Sequence, residues 1–350
     1  MPSRMRYFLA FSLPGFTLLA LSQGGIFSFS TLFIAFVAIP LVELISSPDL
    51  SGPNDDDEER SLAADRFYDY LLYAMVPVQY AILGFFLYHV TFTDLETIEV
   101  VGMTLSMGVQ SGAIGINVAH ELGHRNTRFE RTLARMLLLS SLYMHFIVEH
   151  NRGHHKNVAT PLDPASARLN EPIYTFWVRT LVGSFLSAWR IEQRLRQKEN
   201  KAVWSLGNEM IRLILLEAGL ISGVYILFGS TTMLLFLLTA LIGMLLLETV
   251  NYIEHYGLYR KEISEGRYER VQPWHSWNSD YPVGRILLFE LTRHSDHHYK
   301  ASKKYQVLKH MDESPQLPTG YPGMMLLSLV PPIWFSVVNP RIPEAIQKPQ

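Results

Sequence analysis

Nine of the thirteen histidines fall into four short clusters: HELGH with His120 and His124, EHNRGHH with His150, His154 and His155, NYIEHYG with His255, and RHSDHH with His294, His297 and His298. Isolated imidazoles such as His89 and His310 read as structural. Clusters repeating at spacings of three and four read as ligands, because such side chains share one helical face and can meet one ion. Adjacent residues such as His154 and His155 diverge by about a hundred degrees on a helix, so one member can face a second ion. A tetrahedral zinc site uses four ligands, whereas nine clustered imidazoles suit two metal ions with positions left open for a small molecule. Four carboxylates beside them, Glu121, Glu149, Glu254 and Asp296, are expected to accept the outward N–H of the ligand rings rather than bind metal. His145 and His275 are candidates for the same supporting role.

These imidazoles occur in a greasy chain. Of 350 residues 48% are hydrophobic and 18% charged, well below the ~25% charge of a soluble domain, which points to a membrane protein. A net charge of -2 argues against nucleic acid as a partner. The absence of cysteine excludes disulfides, thiolate ligands, iron–sulfur clusters and cysteine nucleophiles.

The elements that must position the clusters are legible in where Lys and Arg are missing. None occurs from Tyr7 to Glu59, from Phe67 to His124, or from Leu213 to Tyr259. A bilayer crossing takes ~20 apolar residues, so each gap reads as a helical hairpin. The predicted spans are 7–22, 28–46, 68–90, 97–118, 212–228 and 232–249, with tips QGGIFSFS, TFTDLETIE and FGSTT. The fold class is then all-α: a polytopic membrane protein of six transmembrane helices, with residues 1–350 forming a single domain. The basic residues lie opposite the tips, which predicts cytoplasmic termini, cytoplasmic segments 119–211 and 250–350, and a cytoplasmic histidine region. The alternative, a cleaved signal peptide in the first span, would shift the topology by one crossing. The acidic run NDDDEE at 54–59 reads as a solvated loop, and the short apolar runs 133–148 and 321–335 as interfacial or re-entrant pieces. The span interiors show no string of polar ligands of the kind a metal carrier would need. Glycines 102, 108, 112 and 115 would allow close helix approach or leave room for a chain, packing being the commoner use.

The set HELGHR, EHNRGHH, NYIEHYGL and LTRHSDHH resembles the histidine boxes of the membrane-bound alkane hydroxylases, within the integral-membrane fatty acid desaturases and hydroxylases. Thr292 and Tyr299 depart from residues common in that family, at positions that are not ligands. The resemblance implies a non-haem di-iron centre held by the nine clustered histidines and insertion of one oxygen atom from O2 into an unactivated C–H bond. The terminal methyl of an alkane would become a 1-alkanol. Imidazole chemistry alone would equally accept zinc, copper or nickel. Aryl-methyl hydroxylation and fatty acyl desaturation are the nearest alternatives. An intramembrane zinc protease, with Glu121 of H-E-x-x-H as base, would leave most of the histidines unused.

The resemblance further implies a separate rubredoxin as electron donor, fed by a reductase using NAD(P)H, in the inner membrane of a bacterium. A rubredoxin centre is held by cysteine thiolates, so it cannot be part of this chain. Two basic stretches could receive an acidic donor: Arg190, Arg194, Arg196, Lys198 and Lys201, or Lys300, Lys303, Lys304 and Lys309. The second follows the last histidine cluster directly and is the preferred docking surface.

Overall fold

The computed structural model describes residues 3–343 and is mostly helical; the chain termini, expected to be cytoplasmic, lie outside the described residues. The principal helices are α1 (Arg4–Gln23), α2 (Gly25–Leu44), α3 (Asp56–Ala64), α4 (Arg66–Phe92), α5 (97–123), α6 (Arg128–Ser140), α7 (146–157), α8 (Ile173–Lys198) and α9 (Glu209–His255). Shorter helices follow: α10 (Pro282–Leu287), α11 (His294–Tyr299), α12 (Tyr321–Ser328) and α13 (Pro331–Val338). A two-stranded antiparallel hairpin, Glu262–Ser264 with Arg267–Tyr268, precedes α10.

Among the described residues four helices, α1, α2, α4 and α9, are long and apolar enough to cross a bilayer. The six predicted spans map onto α1, α2, α4, α5 and the two halves of α9. Helix α9 runs 47 residues but is broken at Gly229, whose φ of 84° and ψ of 177° no helix contains. That residue lies in the FGSTT tip. In the first tip, Gly24 (φ 63°) ends α1 and a Cβ there would meet Glu99. Both reversals use backbone conformations that favour glycine.

The chain divides into two compact units. The first contains residues 1–37, 67–149 and 185–247. Its core includes Leu21, Ile82, Phe86, Met103, Met107, Val224 and Phe236. Here the four glycines of α5 are packing positions: a Cβ on Gly108 would meet Ile242 at 2.5 Å, one on Gly112 the carbonyl of Gly243 at 2.9 Å, and one on Gly115 the hydroxyl of Ser141 at 2.6 Å. The span interiors do carry polar side chains, among them a series of uncharged ones. Thr31, Thr17, Gln110, Gln79 and Ser140 form a buried hydrogen-bonded series, with donor–acceptor distances of 3.2, 3.4, 3.1 and 3.3 Å. The series is uncharged and each member is partnered, so it binds helices rather than ions.

The second unit contains residues 38–66, 150–184 and 248–350. Its organising cation is Arg293, 1% exposed, which donates to Asp280 (3.1 Å), the Leu308 carbonyl (2.7 Å) and the carbonyls of Asp49 (3.0 Å) and Ser51 (2.7 Å). Arg285 pairs with Glu290 at 2.7 Å and Gly284 N–H donates to Glu43 at 2.8 Å. The acidic run is a helix rather than a solvated loop. Asp55 caps α3 by accepting from the N–H groups of Asp57 and Glu58, and carboxylates in the first turn are favoured by the helix dipole.

Candidate metal centre

The second unit assembles seven of the nine histidines. His154, His255, His294 and His298 form one buried group, with a ligand nitrogen of each within 4.8 Å of the others. Nε2 of His154 lies 3.2 Å from Nε2 of His298, and Nε2 of His294 lies 3.1 Å from Nε2 of His255. His150, His155 and His297 form another set, with Nε2–Nε2 distances of 3.0 Å from His155 to His150 and 3.2 Å from His155 to His297. Adjacent histidines therefore part company as expected: His154 and His298 go to one group, His155 and His297 to the other.

Spacing alone misjudged one pairing. A ligand pair at four residues is expected within EHNRGHH, yet His150 faces His155, five residues on. Residues His150–His154 form a π-helical turn, whose wider winding brings i and i+5 into line. In α11 the winding is α-helical, and His294 and His298, four apart, share a group.

The first unit carries the HELGH pair. His120 lies inside α5, which runs through Gly123, rather than after it, and His124 caps its end. The two rings meet edge to face at 5.0 Å. A second π-helical turn, Ser111–Ile116, precedes them in α5.

The carboxylates divide by role. Glu121 pairs with Arg125 at 2.7 Å, and Arg125 lies 3.4 Å from Asp69. Glu149 accepts from Ser187 at 3.2 Å. Asp296 accepts from Nζ of Lys303 at 2.8 and 2.9 Å and from the Lys309 N–H at 2.9 Å, which ties down the loop after the last cluster instead of supporting a ring. Glu254 departs furthest from expectation. Its Oε2 lies 3.2 Å from His294 Nε2, on the edge that faces His255, while its Oε1 accepts the Tyr321 hydroxyl at 2.8 Å.

For His154 the outward support comes from Asp163, a residue not singled out in the sequence. Asp163 Oδ2 is 2.9 Å from Nδ1 of His154 and accepts from Ser166 at 2.6 Å, while its Oδ1 accepts from the Ala165 N–H at 3.1 Å. Burial would raise the Asp163 carboxyl, but the His154 imidazole and the Ser166 hydroxyl outweigh it and hold it below its ordinary value. Its one sequence signal is the aspartate–proline turn in TPLDPAS.

His145 and His275 stay outside the ligand groups. His145 packs between Tyr143 and Phe185. His275 accepts the Gln272 N–H at 3.0 Å, lies 3.3 Å from Glu269, and is pushed down by burial to about 4. His310 is structural as expected, 2.7 Å from Asp280, and His89 contacts Thr93 at 3.2 Å.

The donor set fits a metal cation. Two imidazole nitrogens at 3.0 to 3.2 Å can share at most one proton, and an Nδ1–H directed at Asp163 leaves His154 with a lone pair on Nε2. Burial drives His298 well below its ordinary value, with His294 and its other imidazole neighbours adding to the shift, so its neutral ligand form prevails. Neutral, buried, convergent nitrogens are what a first-row divalent ion requires.

The comparisons with known proteins agree. A family model described as fatty acid desaturase matches residues 97–327. The alkane 1-monooxygenase of Ectopseudomonas oleovorans is 37% identical over 91% of this chain and 79% of its own length. Alkane 1-monooxygenase 1 of Pseudomonas aeruginosa is 40% identical over 90% and 83%. The xylene/toluene monooxygenase hydroxylase component of Pseudomonas putida is 29% identical over 78% and 73%. A histidine-box membrane oxidoreductase of the fatty acid desaturase group is thus the class that fold and site define, and within it the chain belongs to the alkane 1-monooxygenase family.

Proposed function

We propose that the chain hydroxylates the terminal methyl of alkanes to 1-alkanols, using O2 and electrons from a separate rubredoxin and its NAD(P)H-dependent reductase. The observation that carries this reading is the pairing of a buried, convergent histidine cluster with histidine motifs in a chain 37 to 41% identical to curated alkane 1-monooxygenases. One iron would be held by His154, His255, His294 and His298. The other would be held by His150, His155 and His297, and the resemblance of HELGHR to a histidine box of the family adds His120 and His124 to the proposed ligands. Bound iron supplies the activation of O2 that no amino-acid side chain can provide.

The residues around the cluster prepare it. Asp163 sets the tautomer of His154 and so the direction of its lone pair. Tyr321 orients Glu254 toward the His255 edge of His294, where the carboxylate can join the ligands. In α5, Glu121 is engaged by Arg125 at 2.7 Å, which is poor preparation for a general base and counts against the protease reading. The relative from Pseudomonas putida favours aryl-methyl hydroxylation as the second reading.

Six spans (4–23, 25–44, 66–92, 97–123, 209–228 and 230–255) are proposed, with the hairpin tips outside and the histidines on the cytoplasmic face of a bacterial inner membrane. The support is the confinement of Lys and Arg to one set of loops. An alkane dissolved in the bilayer would reach the site from between helices. Membranes containing the chain, supplied with a medium-chain alkane, rubredoxin, its reductase, NADH and O2, should form the 1-alkanol. An alkene product would replace this reading with desaturation, and turnover of a methylarene alone with the second reading.

A further inference from the structure

Helix α8, Ile173–Lys198, turns an apolar stripe outward along its first half while burying polar side chains beside Phe176 and Ala188. Its buried positions include Thr180 (0% exposed), Ser184 (4%) and Glu192 (6%), and Thr180 donates to Glu248 at 2.7 Å. Its exposed positions include Tyr174, Val178, Val182 and Leu186, at 52, 68, 57 and 43%. A spacing of four keeps them in one stripe about 18 Å long. Soluble helices bury such a stripe and expose their polar face.

The stripe ends in a change of composition. Arg190, Arg194 and Lys198 occupy the last turns. In the loop beyond, Trp204 and Leu206 are 78 and 68% exposed, and the Trp204 ring lies 5.2 Å from that of Trp189. An apolar face followed by paired indoles and cations is the composition of a helix lying in a membrane interface, with rings and charges at headgroup level. Arg179 falls within the helix but not the stripe: it donates to both Glu171 oxygens at 2.7 Å and to the carbonyls of Pro164 and Ser166. This internal cation hides the stripe from a simple reading of hydropathy.

We propose that the face of α8 bearing Tyr174, Val178, Val182 and Leu186 is covered by phospholipid acyl chains, with Trp204 and the basic end of the helix among the headgroups. The first half of α8 then leaves the water-exposed part of segment 119–211, and the basic stretch at 190–201 serves the lipid surface rather than an electron donor. Cations continuous with the apolar stripe favour an anionic bilayer over a protein partner.

The absence of cysteine makes the test clean. Single variants Val178→Cys, Val182→Cys and Lys198→Cys of the full chain would carry a nitroxide in vesicles of phosphatidylethanolamine and phosphatidylglycerol. At 178 and 182 the label should relax readily with O2 and respond to a water-soluble nickel chelate several-fold less than at 198. Nickel access at 178 and 182 equal to that at 198 would place this face in water and overturn the proposal. Shielding from both reagents would indicate a protein neighbour, such as a second copy of the chain, and would overturn it equally. Should the valine variants fail to accumulate, Tyr174→Cys and Leu186→Cys report the same face.

Discussion

His154 presents one ring nitrogen to the Asp163 carboxylate at 2.9 Å and the other to Nε2 of His298 at 3.2 Å. One imidazole thus joins a support in the loop after α7 to the four-histidine group. Replacing Asp163 with alanine frees the tautomer and orientation of that ring. Metal affinity at the four-histidine group should fall by about 10- to 100-fold, with helix content preserved. Competition with a chromophoric chelator measures it, and unchanged retention would show that Asp163 does not act through His154.

The glycines of α5 predict a contrast in stability. Gly112→Leu forces a side chain into the space held by Leu246 and the Gly243 carbonyl and should cost about 1–3 kcal/mol through overpacking. Gly84→Ala, at a helical position where a Cβ meets nothing within 4 Å, should be neutral or stabilising by about 0.5–1 kcal/mol. Thermal midpoints in one detergent compare the two. Equal midpoints would mean that close approach of α5 to α9 is not required.

Much of this site is legible in the sequence, for local reasons. The convergence of the clustered histidines is legible, because α-helical spacing is a property of neighbours in the chain. The split of His154 from His155 follows from the same rule. The rule fails where the helix is not α: the π turn pairs His150 with His155, and nothing in HNRGH announces it. Asp163 and Tyr321 were missed because their links to His154 and Glu254 exist only after folding, Tyr321 being 67 residues from its partner. Of the fold, the breaks at Gly24 and Gly229 fall within QGGIFSFS and FGSTT, two of the tips expected from the gaps in Lys and Arg. The outward apolar stripe of α8 is not legible, since Arg179, Thr180 and Ser184 interrupt its hydropathy while engaged within the fold.

The basic stretch after the last cluster requires a sharper docking test than its charge suggests. Lys303 neutralises buried Asp296, and Lys309 pairs with Glu59 at 2.9 Å. Lys303→Glu should therefore destabilise the chain, on the order of 3 kcal/mol, by leaving a buried carboxylate unpaired. Lys300 is exposed. If the donor docks here, Lys300→Glu should raise the KM for rubredoxin and flatten its salt dependence without shifting the melting midpoint. Unchanged kinetics in Lys300→Glu would move docking elsewhere.

Burial of His275 makes stability depend on pH. Its value in the folded chain is depressed to about 4, against ~6.5 when unfolded. Between these values the unfolded state binds more protons, so this contribution is full above about pH 6.5 and is lost as pH falls toward 4. His275→Asn, which keeps an acceptor for the Gln272 N–H, should melt with a shallower decline between pH 6.5 and 4 than the parent. Parallel declines would show that His275 does not titrate with unfolding.

The central claim, that two histidine groups each hold one iron, is tested most directly by metal analysis of the purified chain and of His298→Ala. The parent should contain about two irons per chain, and the variant about one, because His298 belongs to the four-histidine group alone. A parent that holds a single zinc, or a variant that keeps both irons, would contradict it.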